Sequence, residues 1–192
     1  FFHKGDYTNT FSRKMETPKA RAQYMWYNDE MPYTLENSIR ADIAGQVLDM
    51  IYLKKIREEA SAAYSVSAIG RAQLREDKTH SMMLYAVCPM KPEKRQEAVS
   101  ILEQEVKDLA NTCDASMVAK IKELMLKQAD DAVKSNGYWY NVIEMYDKYG
   151  IDSHSDYKKL IEAQTPETIC SFMKEFNKNG NRLGVVMLPA EK

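Results

Sequence analysis

Two side chains in the run Lys55-Ile56-Arg57-Glu58-Glu59-Ala60-Ser61-Ala62-Ala63-Tyr64-Ser65-Val66 have the chemistry to meet a reacting group, Arg57 and Tyr64. A guanidinium carries a fixed positive charge and five N–H donors, and a phenol adds one O–H. Together they suit holding a carbonyl oxygen or a developing oxyanion. The pattern before this run predicts that Arg57 closes a long amphipathic helix. The alternation after it predicts that Tyr64 opens a strand, so the junction aims both groups into the same space. No nucleophile with a neighbouring base and no cluster at metal-ligand spacing accompanies them, so the pair reads as one half of an active site.

The elements that must position the pair follow from periodicity. From Lys19, the residues Ala20, Ala22, Tyr24 and Trp26 alternate with Arg21, Gln23, Met25 and Tyr27, which predicts a strand with one buried face. Thr34 is a candidate N-cap with Glu36 in the first turn, and Leu35, Ile39, Ile43, Val47 and Ile51 recur every fourth residue behind it. The small residues Ala44 and Gly45 predict that something lies close against the middle of this helix. Val66, Ala68, Ala72 and Leu74 continue the period-two face of Tyr64, with Gly70 read as a bulge or a close backbone approach. Glu76-Asp77-Lys78 turns the chain into a second strand, His80 to Cys88, completing a hairpin.

Downstream the grammar is helical. Pro92 starts a helix with Ala98, Ile101, Leu102, Val106 and Leu109 on one face, and Asp114 caps a second with Val118, Ile121, Leu124, Met125, Ala132 and Val133 inward. Asn136-Gly137 is read as an interruption before a third helix that Gly150 ends. Thr165-Pro166-Glu167 opens a fourth, carrying Ile169, Phe172, Met173 and Phe176. A closing strand spans Leu183 to Leu188. This order predicts an α+β fold, a two-layer sandwich of a mostly antiparallel sheet with its helices on one face. Residues 1–18 are polar and unperiodic and read as a linker or arm from a preceding domain, with residues 19–192 as a single domain. The chain starts at Phe1 without a methionine, which suggests a piece of a longer polypeptide.

Composition narrows the partners. Lys and Arg total 27 against 28 Asp and Glu, so no net field draws nucleic acid or anionic lipid. The apolar runs are too short to insert into a membrane. Cys88, Cys113 and Cys170 are odd in number and far apart, which excludes a complete disulfide framework and a CxxC knuckle and favours buried packing, with one bridged pair or a nucleophile completed through space as the alternatives.

The stretch from Pro32-Tyr33-Thr34-Leu35-Glu36-Asn37 through Tyr52-Leu53-Lys54-Lys55-Ile56-Arg57-Glu58-Glu59 to Ala63-Tyr64-Ser65-Val66-Ser67 resembles the non-catalytic C-terminal domains of the pitrilysin/insulinase family of zinc peptidases. The arginine followed seven residues later by a tyrosine carries most of the likeness. A looser similarity runs from Phe11 to Pro189 and extends to the order of elements, a metallohydrolase-like β-α-β-β-α-α unit.

The resemblance implies a division of labour. One half of such enzymes holds zinc in an inverted HxxEH motif, and the other closes over it like the second valve of a clamshell. His3, His80 and His154 match no such motif, so this chain corresponds to the zinc-free valve, with no catalytic residue and no bound cofactor of its own. The resemblance implies that Arg57 and Tyr64 hold the backbone carbonyl of a peptide substrate near zinc. That zinc is supplied by an HxxEH-containing domain in the same chain or in a partner subunit. Many relatives carry glycine just before the tyrosine where this chain has Ala62-Ala63.

Each feature also has a plain structural reading. A helix C-terminus stabilises Arg57 whatever its function, and a tyrosine starting a strand can simply bury its ring. Tyr138, Trp139, Tyr140, Tyr146 and Tyr149 can line a peptide chamber, but at helical spacing they also suit core packing. The alternative function is a non-catalytic structural or interaction module of the same fold. The compartment is left open; a bacterial periplasm or cell envelope is compatible.

Overall fold

A computed structural model describes residues 3–190. Five strands form one sheet in the order β1-β5-β2-β4-β3, with β1 Asp6–Arg13, β2 Ala20–Asn28, β3 Ser67–Leu74, β4 His80–Met90 and β5 Asn181–Pro189. β1 runs parallel to β5 and every other pair is antiparallel. Six α-helices complete the domain: α1 Leu35–Tyr52, α2 Arg95–Asp108, α3 Ala115–Ala132, α4 Asn136–Tyr149, α5 Tyr157–Glu162 and α6 Pro166–Lys178. The chain is thus α+β with a mostly antiparallel open sheet, as its patterning predicts.

Alternation builds the sheet. Ala20, Ala22, Tyr24 and Trp26 of β2 and Leu84, Ala86, Cys88 and Met90 of β4 are buried, whereas Gln23, Met25, Tyr85 and Val87 between them are half-buried. Ile39, Ile43 and Val47 of α1 join the same core as Val66, Ala68, Leu84 and Ala86. Thr34 caps α1 by accepting from the Asn37 N–H at 3.0 Å, and Asp114 caps α3 by accepting from Ser116 and Met117. At α6 a reciprocal capping box joins Thr165 and Thr168, with Pro166 in the first turn. The β3–β4 turn is tied by Asp77, which accepts from the Thr79 N–H at 3.0 Å.

Three features differ from the sequence reading. Gly70 is no bulge, because β3 pairs with β4 without a break from Ser67 to Leu74. It is a close approach, and its counterpart is Gly45: what lies against the small residues of α1 is the sheet itself. Asn136 and Gly137 begin α4 rather than interrupt the chain. Within the stretch 1–18 read as an arm, Asp6–Arg13 forms the edge strand β1, every residue of it exposed. Phe1 and Phe2 lie outside the described residues.

Candidate functional site

At Leu53 the helical chain of α1 widens into a π-turn, Leu53–Glu59, with the Ala60 N–H reaching back five residues to the Lys55 carbonyl at 3.0 Å. Wide turns of this kind recur at functional sites. Three contacts fix it. Tyr52, fully buried, donates its hydroxyl to the Leu102 carbonyl at 2.8 Å. Ile56 is in the core. Lys55 Nζ lies 2.6 Å from Glu105 Oε1 on α2, whose side chain is only 9% exposed. Arg57 projects from this turn and is exposed.

The chain then turns a tight corner. Ser61 adopts a left-handed conformation, φ +49°, and the Ala62 N–H bonds the Ile56 carbonyl at 2.9 Å. Ala62 and Ala63 are buried; the Ala62 carbonyl accepts from the Lys91 N–H at 2.9 Å, and Ala63 bridges Met90 at the end of β4. Tyr64 emerges just beyond, 90% exposed. The expectation that it opens a strand is therefore corrected: β3 begins at Ser67. Ala62 and Ala63 occupy the buried positions at the corner, and Tyr64–Val66 pass the β4 end before ladder pairing resumes.

Neither Arg57 nor Tyr64 has a hydrogen-bond, ion-pair or ring partner among the described residues. Each stands on backbone fastened to the core, on either side of one corner. An arginine and a phenol left free on a rigid support can each donate to an oxygen brought to them, with little ordering cost at that moment. The sequence points to both residues by type and spacing. It does not reveal the π-turn, built from residue types as much at home in an α-helix, or the Lys55–Glu105 pair, whose members are 50 positions apart.

The remaining candidates are dispersed. His80 starts β4 beside Leu74, His154 hydrogen-bonds the Tyr138 hydroxyl at 2.7 Å, and His3 lies against Tyr7. No three His, Cys, Asp or Glu side chains stand together in a way that could hold a metal ion among the described residues. The thiols of Cys88 and Cys113 are pushed up to about 12 by burial, which suits packing rather than nucleophilic attack. The α4 aromatics are not core: Tyr140 and Tyr146 are 66% and 65% exposed.

The sheet and its helices make an α+β domain with one open sheet, and its corner carries two exposed hydrogen-bond donors. Residues 5–125 match the family described as the Peptidase M16 inactive domain, and the chain belongs to that family. No curated protein matches the sequence. Among solved structures, the periplasmic protease PqqL from Escherichia coli aligns with a TM-score of 0.76 and 22% identity over 98% of this chain and 21% of its own. The ferredoxin protease FusC, in complex with Arabidopsis ferredoxin, gives 0.77 and 20% over 98% and 21%. A peptidase M16 inactive domain from Pseudomonas fluorescens gives 0.70 and 12% over 98% and 44%. The chain thus spans between about a fifth and less than half of these proteins.

Proposed function

We propose that this chain is the substrate-binding, zinc-free half of a clamshell metalloendopeptidase, with Arg57 and Tyr64 holding the carbonyl of the scissile peptide. The observation that carries the reading is the corner at Ser61–Ala63. It fastens the backbone between two hydrogen-bond donors while leaving both side chains unpartnered and exposed. Membership in a family of inactive M16 domains supports it. The described residues do not fit a zinc site. The reading therefore assigns the metal to an HxxEH domain in the same polypeptide or in a partner subunit.

What this chain supplies is orientation and charge. The guanidinium offers two N–H groups in a planar fork to the carbonyl oxygen, and the phenol approaches from another direction. As the oxygen gains negative charge both bonds strengthen, because a charge-assisted bond is roughly twice as strong as a neutral one. That differential is catalysis, since it favours the transition state over the bound peptide.

Tyr64→Phe in the full-length protein tests this, because it keeps the ring and deletes only the hydroxyl. Turnover of a fluorogenic peptide is expected to fall by about a hundred-fold, roughly 3 kcal/mol, with zinc content and melting temperature unchanged. Full activity in that variant removes Tyr64 from the site. If the full-length protein is folded and metal-loaded yet cleaves no peptide in a broad library, the structural-module alternative takes over.

A further inference from the structure

α4 is the helix that the core does not use. Every other α-helix buries at least one residue, whereas α4 buries none. Its large side chains are nonetheless apolar on one side: Trp139, Ile143 and Tyr146 recur at positions i, i+4 and i+7, which places them on one face, with Tyr140 beside them. They are 39%, 66%, 65% and 66% exposed, four of the ten large apolar side chains left exposed among the described residues. Single exposed apolar residues need no explanation, but a cluster on one helix marks a contact surface.

The carboxylates beside this face are not matched by cations in the cleft. A cleft of about 410 Å³ separates α4 from the turn at residues 152–155, and Ile143, Tyr146, Asp147, Asp152 and His154 line it. The turn is rigid. Asp152 accepts the backbone N–H groups of His154 and Ser155 at 2.9 Å each, and hydrogen bonds from Ser155 and the backbone hold its carboxyl down to about 2, so it is ionised at neutral pH. The His154 ring bonds the Tyr138 hydroxyl at 2.7 Å and lies 4.8 Å from the Trp139 ring. Nearby cations are already engaged: Lys148 with Glu144 at 2.8 Å, Lys134 with Asp131 and Lys158 with Asp130 at 2.7 Å. Asp147 has no ion-pair partner among the described residues.

We propose that this cleft is a docking site for a segment of a protein partner in which a lysine or arginine neighbours an apolar side chain. The cationic head enters between Asp147 and Asp152 over the Tyr146 ring, and the apolar neighbour covers Ile143 and Trp139. A cation is the complement of two carboxylates beside an aromatic face, and the apolar stripe supplies the area that an exposed ion pair lacks. None of the residues lining the cleft belongs to the Arg57–Tyr64 corner, and the proposal does not depend on the reading of that corner.

Nitrogen-15 NMR titration of the chain with two blocked hexapeptides tests it, one Ac-Ala-Leu-Lys-Leu-Ala-Ala-NH2 and the other with Glu for Lys. The lysine peptide is expected to give saturable shifts confined to residues 136–156, including the Trp139 indole. Asp147→Asn and Ile143→Ser, both at exposed positions, are each expected to weaken it by about fivefold. The glutamate peptide should leave these signals unmoved. Equal binding of both peptides, shifts centred on another surface, no saturable binding, or a chain that pairs with a second copy through α4 would each overturn the proposal.

Discussion

Gly45 of α1 and Gly70 of β3 meet backbone to backbone. A Cβ on Gly45 would stand 1.9 Å from the Gly70 nitrogen, and one on Gly70 would stand 1.6 Å from the Ala41 carbonyl oxygen. No rotamer relieves such an overlap, because both obstacles are main chain. Either residue changed to alanine lifts α1 from the sheet, and the expected loss is about 3 kcal/mol or more, at the upper end for overpacking. Urea unfolding measures it. The double variant should lose less than the sum, because a helix already displaced has room for the second methyl.

Arg57 and lysine are not equivalent at the corner. Arg57→Lys keeps the charge but loses the planar fork, so on the proposed reading any peptide turnover by the full-length protein should be depressed by roughly ten-fold or more. Stability should stay within about 0.5 kcal/mol, because the side chain is exposed. A lysine variant with wild-type turnover would reduce Arg57 to a nonspecific positive charge.

The Lys55–Glu105 pair is asymmetric, its side chains 44% and 9% exposed. Removing the lysine strands a carboxylate beneath the π-turn, whereas removing the carboxylate leaves an ammonium that water can reach. Lys55→Met should therefore cost about 2 kcal/mol and Glu105→Gln about 1 kcal/mol. Chemical denaturation reports the order, and the reverse order would show that the carboxylate is solvated.

Thiol reactivity follows from burial. With Cys88 and Cys113 pushed up to about 12, roughly one thiol in ten thousand is ionised at pH 8, so iodoacetamide should label the folded protein slowly at both and quickly in urea. Mass spectrometry of peptides from the two states makes the comparison. Rapid native labelling of Cys113 would contradict its packing.

Asp152 links the turn at residues 152–155 to pH. Its carboxyl titrates at about 2 in the folded chain, below an unfolded value near 3.9, so its contribution is present above about pH 4 and fades as pH falls towards 2. Asp152→Asn should lower the melting temperature at pH 6, with the gap from wild type narrowing below about pH 4 and closing as pH falls through about 2. A gap independent of pH would assign the effect to packing.

The parts of the fold legible in the sequence are those with one buried face. β2, β4 and the body of α1 follow from strict spacing, and Thr34, Asp114 and Thr165 announce their helices by capping chemistry. β1 is not legible because all eight residues are exposed, leaving no apolar alternation to read. α5 is six residues long with one buried side chain, too little for a period. Tyr64 misleads because polar-apolar alternation continues three residues before the start of the β3 ladder, while the Ser61 turn that lifts it out has no glycine to signal it. Arg57 and Tyr64 are legible as types at a spacing. Their freedom from partners is a property of the folded chain alone.

The place of β5 between β1 and β2 sets the order in which this sheet is completed. On a ribosome the first two strands emerge early, but β1 pairs only with β5 and one side of β2 waits for it as well. At cellular rates the ribosome needs roughly ten to thirty seconds to travel from β2 to β5. Throughout that interval two unsatisfied backbone edges are open to any extended segment nearby. The final strand is therefore the lock of the sheet, and a ribosome stalled before Asn181 would release a chain primed to aggregate.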